Sequence, residues 1–129
     1  LWIGTQTGGL FRCPALPARP EGAGDDTPLR RCTSGPQALA RHPVFRIAEE
    51  GDGTLWVGTG RGVARVRLEA PGGRPIAVAL LTPRQGLPGA TVFQLLDDGR
   101  GGRWLTGPWG LGRVAHAALV AAADGVERG

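Results

Sequence analysis

The stretch VFRIAEEGDGTLWVGTGRGVARV, Val44 to Val66, returns 48 residues later as VFQLLDDGRGGRWLTGPWGLGRV, Val92 to Val114, with no gap. In that register Val44 meets Val92, Phe45 meets Phe93, Gly51 meets Gly99 and Gly53 meets Gly101. Trp56 likewise meets Trp104, Gly62 meets Gly110, Arg65 meets Arg113 and Val66 meets Val114. Eight identities at one offset, with a tryptophan and several glycines among them, define an internal repeat. A third, shorter copy opens the chain: LWIGTQTGGLFR, Leu1 to Arg12, lies on Leu55 to Val66 once one residue is allowed for at the turn. The period is about 50 residues, so the chain is expected to start inside a unit and to be a piece of something longer.

Within one period the residues read as strands and turns. Val44–Ala48 and Thr54–Thr59 are β-type runs separated by the turn Glu49-Glu50-Gly51-Asp52-Gly53. Gly60–Gly62 turns the chain again into Val63–Leu68, and after the loop Pro71–Pro75 a fourth run, Ile76–Leu81, completes the unit. The next copy repeats three of these runs, at Thr91–Leu96, Arg103–Thr106 and Leu111–Val114. It then departs: the alanine-rich Ala115–Ala123 predicts a short helix that ends at Asp124-Gly125. Leu1–Thr5 and Leu10–Arg12 predict a hairpin. Cys13–Pro43 carries prolines at 14, 17, 20, 28, 36 and 43, which forbid a long helix or a central strand. It predicts an extended surface loop, with one outer strand near Thr27 to Thr33.

Four short antiparallel strands per period make one blade of a propeller. A lone blade has two apolar faces, and only neighbouring blades cover both. The expected fold is therefore all-β, a β-propeller fragment of about two to three four-stranded blades with one short helix near the C-terminus. Residues 1–43 are expected to hold a partial blade and the Pro-rich loop, 44–90 a blade, and 91–129 an incomplete blade with a helical insertion at about 115–123. A complete ring of six or seven such blades needs roughly 290 to 340 residues.

Composition agrees with a turn-rich β protein: 23 glycines and 11 prolines are about a quarter of the residues, and 41% are hydrophobic. All 15 basic residues are arginine, and lysine, tyrosine, methionine and asparagine are absent, a bias that points to a G+C-rich bacterial source. The net charge of +4 raises the question of an anionic partner. The arginines are scattered, with only Arg30-Arg31 adjacent, and are not interleaved with aromatic rings, so no nucleic-acid partner is expected. No apolar run is long enough for a membrane-spanning helix.

Few residues are candidates for chemistry. Gly110-Leu111-Gly112-Arg113-Val114-Ala115 fits the G-x-G-x-x-A dinucleotide fingerprint, but it lacks an acid at the required distance and falls in a repeat strand. Glu49-Glu50 and Asp97-Asp98 share one repeat position, which favours a turn role over paired acid–base or Ca²⁺ chemistry. His42 and His116 have no partner at zinc spacing, and Ser34, the sole serine, lacks a nucleophile elbow. No catalytic residue, metal or cofactor is expected. Cys13 and Cys32 either close a disulfide, worth about 3 kcal/mol in an oxidising compartment, or are two unrelated thiols.

The repeat tryptophans Trp2, Trp56 and Trp104 are expected in blade packing, with Gly53, Gly101, Gly62 and Gly110 at the turns. Trp109 stands where the earlier unit has Arg61, at a turn where a ring can stack on a sugar or an aromatic ligand. Arg46 and Gln94 differ at one register position. These three, Arg46, Gln94 and Trp109, are the candidate ligand-binding residues.

The frame Val-Phe-x-Ile, two acids, Gly-x-Leu-Trp-Val-Gly-Thr, then Gly-Val/Leu-x-Arg resembles the two-component regulator propeller repeat. Leu1-Trp2-Ile3-Gly4-Thr5 and Leu55-Trp56-Val57-Gly58-Thr59 carry it closely, and Gln85-Gly86-Leu87-Pro88 resembles the family's lead-in between blades. The last unit departs, with Arg103 for Leu and Leu105-Thr106-Gly107 for Val-Gly-Thr. The resemblance implies a periplasmic sensor region of an inner-membrane receptor, homodimeric as a whole, whose output is a histidine kinase or a diguanylate cyclase. Its partners would be the other blades of the propeller and an extracellular small molecule or glycan. The alternatives are a protein-interaction propeller without signalling output, and part of an enzyme-type propeller such as a lyase or quinoprotein.

Overall fold

The computed structural model describes residues 1–13 and 32–128. They form ten strands and one α-helix, in three antiparallel sheets. The first sheet is β1 (Trp2–Gly4), β2 (Leu10–Arg12) and β3 (Thr33–Ser34), in that order. The second is β4 (Val44–Glu50), β5 (Thr54–Thr59), β6 (Gly62–Leu68) and β7 (Pro75–Leu81), again in chain order. The third is β8 (Gln94–Asp97), β9 (Gly102–Gly107) and β10 (Gly110–Ala115), and α1 (His116–Arg128) follows directly. The chain is thus an all-β assembly with a C-terminal helix. Most of the Pro-rich loop, and most of the strand expected near Thr27 to Thr33, lie outside the described residues; Thr33 and Ser34 do pair with β2.

Among the described residues each hairpin inside a sheet turns at or beside a glycine. Gly53 and its repeat mate Gly101 sit at φ 88° and 79°, and Gly62 and Gly110 at 148° and 116°. Side-chain-bearing residues avoid this region, which explains why the repeat keeps glycine there. At Gly62 a Cβ would also run into the Leu81 carbonyl.

Strand pairing sorts the side chains onto two faces of each sheet. In the second sheet Trp56 lies opposite Arg65, which lies opposite Ala79, so these share one face with Val63 and Leu81. Leu55, Val57, Ala64 and Val66 share the other. The Leu55 face packs toward the first sheet, where Leu10, Leu39 and Trp2 meet it. The Trp56 face packs toward the third sheet against Val92, Leu95 and Leu105. Leu39, at the end of the 3-10 turn Gln37–Leu39, and Leu87, two residues after the 3-10 turn Pro83–Gln85, stand 48 residues apart and pack into the two seams. The repeat therefore extends upstream of Val44.

The helix differs from expectation in length and role. Ala115 belongs to β10, and the helix runs past Asp124-Gly125 to Arg128. Leu119 and Ala123, one turn apart, bury in the second seam beside Ala79. The next turn then finds ion partners on β6. Asp124 Oδ1 lies 2.7 Å from Arg65 Nη1, and Glu127 lies 3.1 Å from Arg67 Nε. Arg65 Nη2 stands 3.0 Å from Glu127 Oε2, an ion pair without hydrogen-bond angles. These contacts carry the helix through Gly125, whose helical penalty is about 1 kcal/mol relative to alanine. The helix takes the place of a fourth strand in the third unit.

Trp104 also differs from expectation. Trp56 is 1% exposed and Trp2 is half-buried against the first seam, but Trp104 is 38% exposed. It pairs with Arg113 on the face of the third sheet that points away from the second, and among the described residues no sheet covers that face. Trp104 has the register of its repeat mates without their neighbour.

Candidate functional site

The two seams are fastened by the same main-chain bond. The N–H of Val44 donates to the carbonyl of Thr5 at 2.8 Å, and the N–H of Val92 donates to that of Thr59 at 2.9 Å. Each threonine also staples its own turn. Thr5 Oγ1 donates to Gly9 O and accepts from Gly8 N, while Thr59 Oγ1 donates to Gly62 O and accepts from Gly62 N. The carbonyl is thereby held in place for the incoming strand, and each unit's first strand is hung on the preceding unit at a fixed point.

That arrangement brings β4 alongside β8 and sets Phe45 against Phe93. Their rings meet edge to face, with centroids 4.9 Å apart. Both stay open to solvent, at 42% and 38% exposure. Phe45 falls where the pairing of β4 with β5 shifts register, between Val44 and Arg46, so its side chain is released from the ladder. Arg46 and Gln94 follow the two phenylalanines directly, and both are exposed. Two exposed aromatic edges offer stacking to a flat or sugar-like ligand, with Arg46 and Gln94 as the next residue along each strand.

Trp109 lies elsewhere. Its indole Nε1 donates to Thr91 O at 2.6 Å, and Thr91 Oγ1 in turn donates to Gly60 O at 3.0 Å. The ring lies over Gly89 and Gly107, where a Cβ would collide with it. Trp109 is half-buried, and its N–H is committed within the fold. The structure therefore brings Phe45 and Phe93 together, leaves Arg46 and Gln94 exposed at the next position of their strands, and sets Trp109 in a turn beside the second seam.

The acidic pairs take different partners despite their shared position. Asp97 Oδ1 accepts from Gly99 N, and Asp98 Oδ1 accepts from Arg100 N and Gly102 N, which makes both turn residues. Asp98 also accepts from Arg113 Nε at 2.8 Å. The Arg113 guanidinium, followed by the backbone N–H groups of Arg100 and Gly102, holds the Asp98 carboxyl below its usual range. Glu50 instead crosses the second seam to Arg103 at 2.5 Å, with His116 Nε2 3.6 Å away and the His116 ring edge-on to Trp56. Gly110–Ala115 is an antiparallel hairpin strand, without the parallel strand-to-helix turn that a pyrophosphate site requires. Cys13 and Cys32 are joined in a disulfide.

A cleft of about 390 Å³ beside β3 is lined by Arg12, Thr33, Ser34 and Arg74 among others. Both of its arginines already bond protein groups, Arg12 to Gly72 O and Arg74 to Glu69. Among the described residues no helix is long and apolar enough to cross a membrane. No protein-family model matches the chain, and no curated protein does.

Two features of the site are not singled out by the sequence. Phe45 and Phe93 are repeat identities, and the signal for their exposure is the flanking Val44 and Val92, whose burial sends the next residue outward. The cross-strand pairs Trp2–Arg12, Trp56–Arg65 and Trp104–Arg113 recur in all three sheets. The identities of Trp56 with Trp104 and of Arg65 with Arg113 are their trace in the ungapped alignment, which does not show that the two residues face each other across strands.

Proposed function

We propose that the chain is part of the ligand-binding β-propeller sensor region of a bacterial two-component or cyclic-di-GMP signalling receptor, on the periplasmic side of the inner membrane. The observation that carries this reading is the repeated seam: three sheets, each presenting a Trp–Arg pair on the same face, hung in series by Thr5–Val44 and Thr59–Val92. Units joined in this way stack around an axis until a ring closes, with their first strands innermost. Phe45, Arg46, Phe93 and Gln94 then line the inner edge, where a small molecule or glycan binds. The chain itself does no chemistry; its role is recognition, and the output lies in another part of the receptor.

Two measurements test the reading. The reading frame around the chain should hold five or more further Leu-Trp-x-Gly-Thr units, then an apolar helix of about 20 residues and a kinase or cyclase domain. A gene without them removes the receptor assignment. In the complete protein, a glycan or small-molecule screen followed by backbone amide shifts should perturb Phe45–Arg46 and Phe93–Gln94, and Phe45→Ala should weaken the hit at least tenfold. A hit that maps to other strands and ignores Phe45→Ala overturns the site.

A further inference from the structure

The cleft of about 390 Å³ beside β3 lies between the first two sheets, at the edge of the second sheet farthest from β4. Two cations from different sheets share it. Arg12, at the end of β2, and Arg74, just before β7, line it together with Thr33, Ser34, Pro36 and Pro75. Among the described residues no acid lines it. A cleft of this size that joins a few polar groups to an apolar wall suits a small ligand.

Neither guanidinium is saturated by its protein partner. Arg12 gives one N–H, on Nη2, to the Gly72 carbonyl at 2.8 Å. A guanidinium carries five such donors, and a neutral carbonyl leaves its charge in place. Arg74 pairs with Glu69 at 3.1 Å, but both side chains are open to water, at 74% and 52% exposure. So exposed a pair contributes little and exchanges readily. Two arginines against one glutamate leave a single positive charge at the cleft.

The wall that carries Arg12 is held at both ends. Arg12 lies opposite Thr33 in the β2–β3 ladder, and the Cys13–Cys32 disulfide ties the residue after β2 to the one before β3. Beyond the strand, Gly35 N donates to Leu10 O at 2.7 Å. Cross-strand partners share a face, so the Thr33 side chain is on the same side of the sheet as that of Arg12. Its hydroxyl reaches the Arg12 carbonyl only at 3.4 Å, a long contact that a better acceptor replaces. Walls fixed before binding lose less entropy when a ligand arrives.

We propose that this cleft binds a small organic monocarboxylate, with its two oxygens on the Arg12 guanidinium, Arg74 and Thr33 alongside, and its apolar body against Pro36 and Pro75. Paired N–H donors of a guanidinium match the two oxygens of a carboxylate. One net positive charge matches a monoanion. Both walls belong to this chain, so the site needs no further unit and no signalling output, and it is separate from the Phe45–Phe93 edge.

Titration of the full chain with benzoate, followed by backbone amide and arginine side-chain NMR shifts, tests it. Saturable shifts at Arg12, Thr33, Ser34 and Arg74 are expected, with a Kd on the order of 1 mM. Benzamide, of the same shape without the charge, should cause none. Arg74→Gln should weaken benzoate roughly threefold, and Arg12→Gln roughly tenfold. If Arg12→Gln disturbs amide shifts away from the cleft, Arg74→Gln alone decides. Four outcomes overturn the proposal: no saturable shift up to about 20 mM, benzamide binding as well as benzoate, inorganic phosphate binding more tightly than benzoate, or an affinity unchanged by Arg74→Gln. Benzoate shifts at Phe45 and Phe93 in place of the cleft would also overturn it, and would leave the sensor reading standing.

Discussion

Glu50 and Arg103 meet across the second seam at 2.5 Å, with the arginine side chain only 7% exposed and the glutamate 28%. In the preceding unit the place of Arg103 is held by Leu55, which is fully buried. A charged side chain thus stands where the preceding unit has hydrocarbon, and it pairs with the acid Glu50. Removing one partner of such a pair strands a poorly hydrated charge, whereas replacing both is far less costly. Glu50→Ala is expected to destabilise by about 3 kcal/mol. The double variant Glu50→Ala/Arg103→Leu should recover most of the loss in urea unfolding, and a double-mutant cycle with no coupling would contradict this account.

Trp56 and Trp104 occupy one register position and differ only in what lies over them. Trp56→Ala should cost about 3–5 kcal/mol as a buried truncation. Trp104→Ala should cost about 1 kcal/mol or less, in keeping with a largely surface substitution. Equal losses in chemical denaturation at low protein concentration would show that the open face is covered.

The Asp98 carboxyl titrates below its ordinary value of 3.8, because Arg113 and two backbone N–H groups favour the ionised form. A folded value below the unfolded one means that the ionised carboxylate stabilises the fold above the unfolded value. That contribution disappears as pH falls through the lowered folded value. The thermal midpoint of the wild type should therefore fall more steeply than that of Asp98→Asn from about pH 4 to about pH 2. Parallel curves would remove Arg113–Asp98 from the list of stabilising contacts.

Cys13 and Cys32 tie the end of β2 to the start of β3 across a sequence separation of 19. Restricting a loop of that size in the unfolded chain is worth about 3 kcal/mol. The paired substitution Cys13→Ser/Cys32→Ser should lower stability by about that amount, and reduced wild type should match it. Mass spectrometry before and after reduction, showing no two-proton difference, would dispose of the bridge.

Local chemistry was legible in the sequence and neighbour-dependent chemistry was not. β5 matches its expected run, Thr54–Thr59, because alternating β-type residues end at glycines that only a turn accommodates. β8 starts at Gln94 and not at Thr91, since the N–H of Val92 is diverted to Thr59 of the preceding sheet. The end of the helix was misplaced for a similar reason. Asp124-Gly125 is a stop signal in isolation, and Arg65 and Arg67 lie 59 and 60 residues away from the acids that override it. The exposure of Trp104 is invisible to a pattern that makes it equivalent to Trp56. Trp109 carries no mark of its bond to Thr91, because sequence gives no distance between two turns.

The Thr5–Val44 and Thr59–Val92 links run through peptide groups, which every replacement of Val44 or Val92 other than proline leaves in place. Drift in sequence can therefore rewrite the surfaces that meet while leaving the points of suspension untouched. The last unit has done this: arginine has displaced leucine, a helix has displaced a strand, and the sheet still hangs from the same carbonyl.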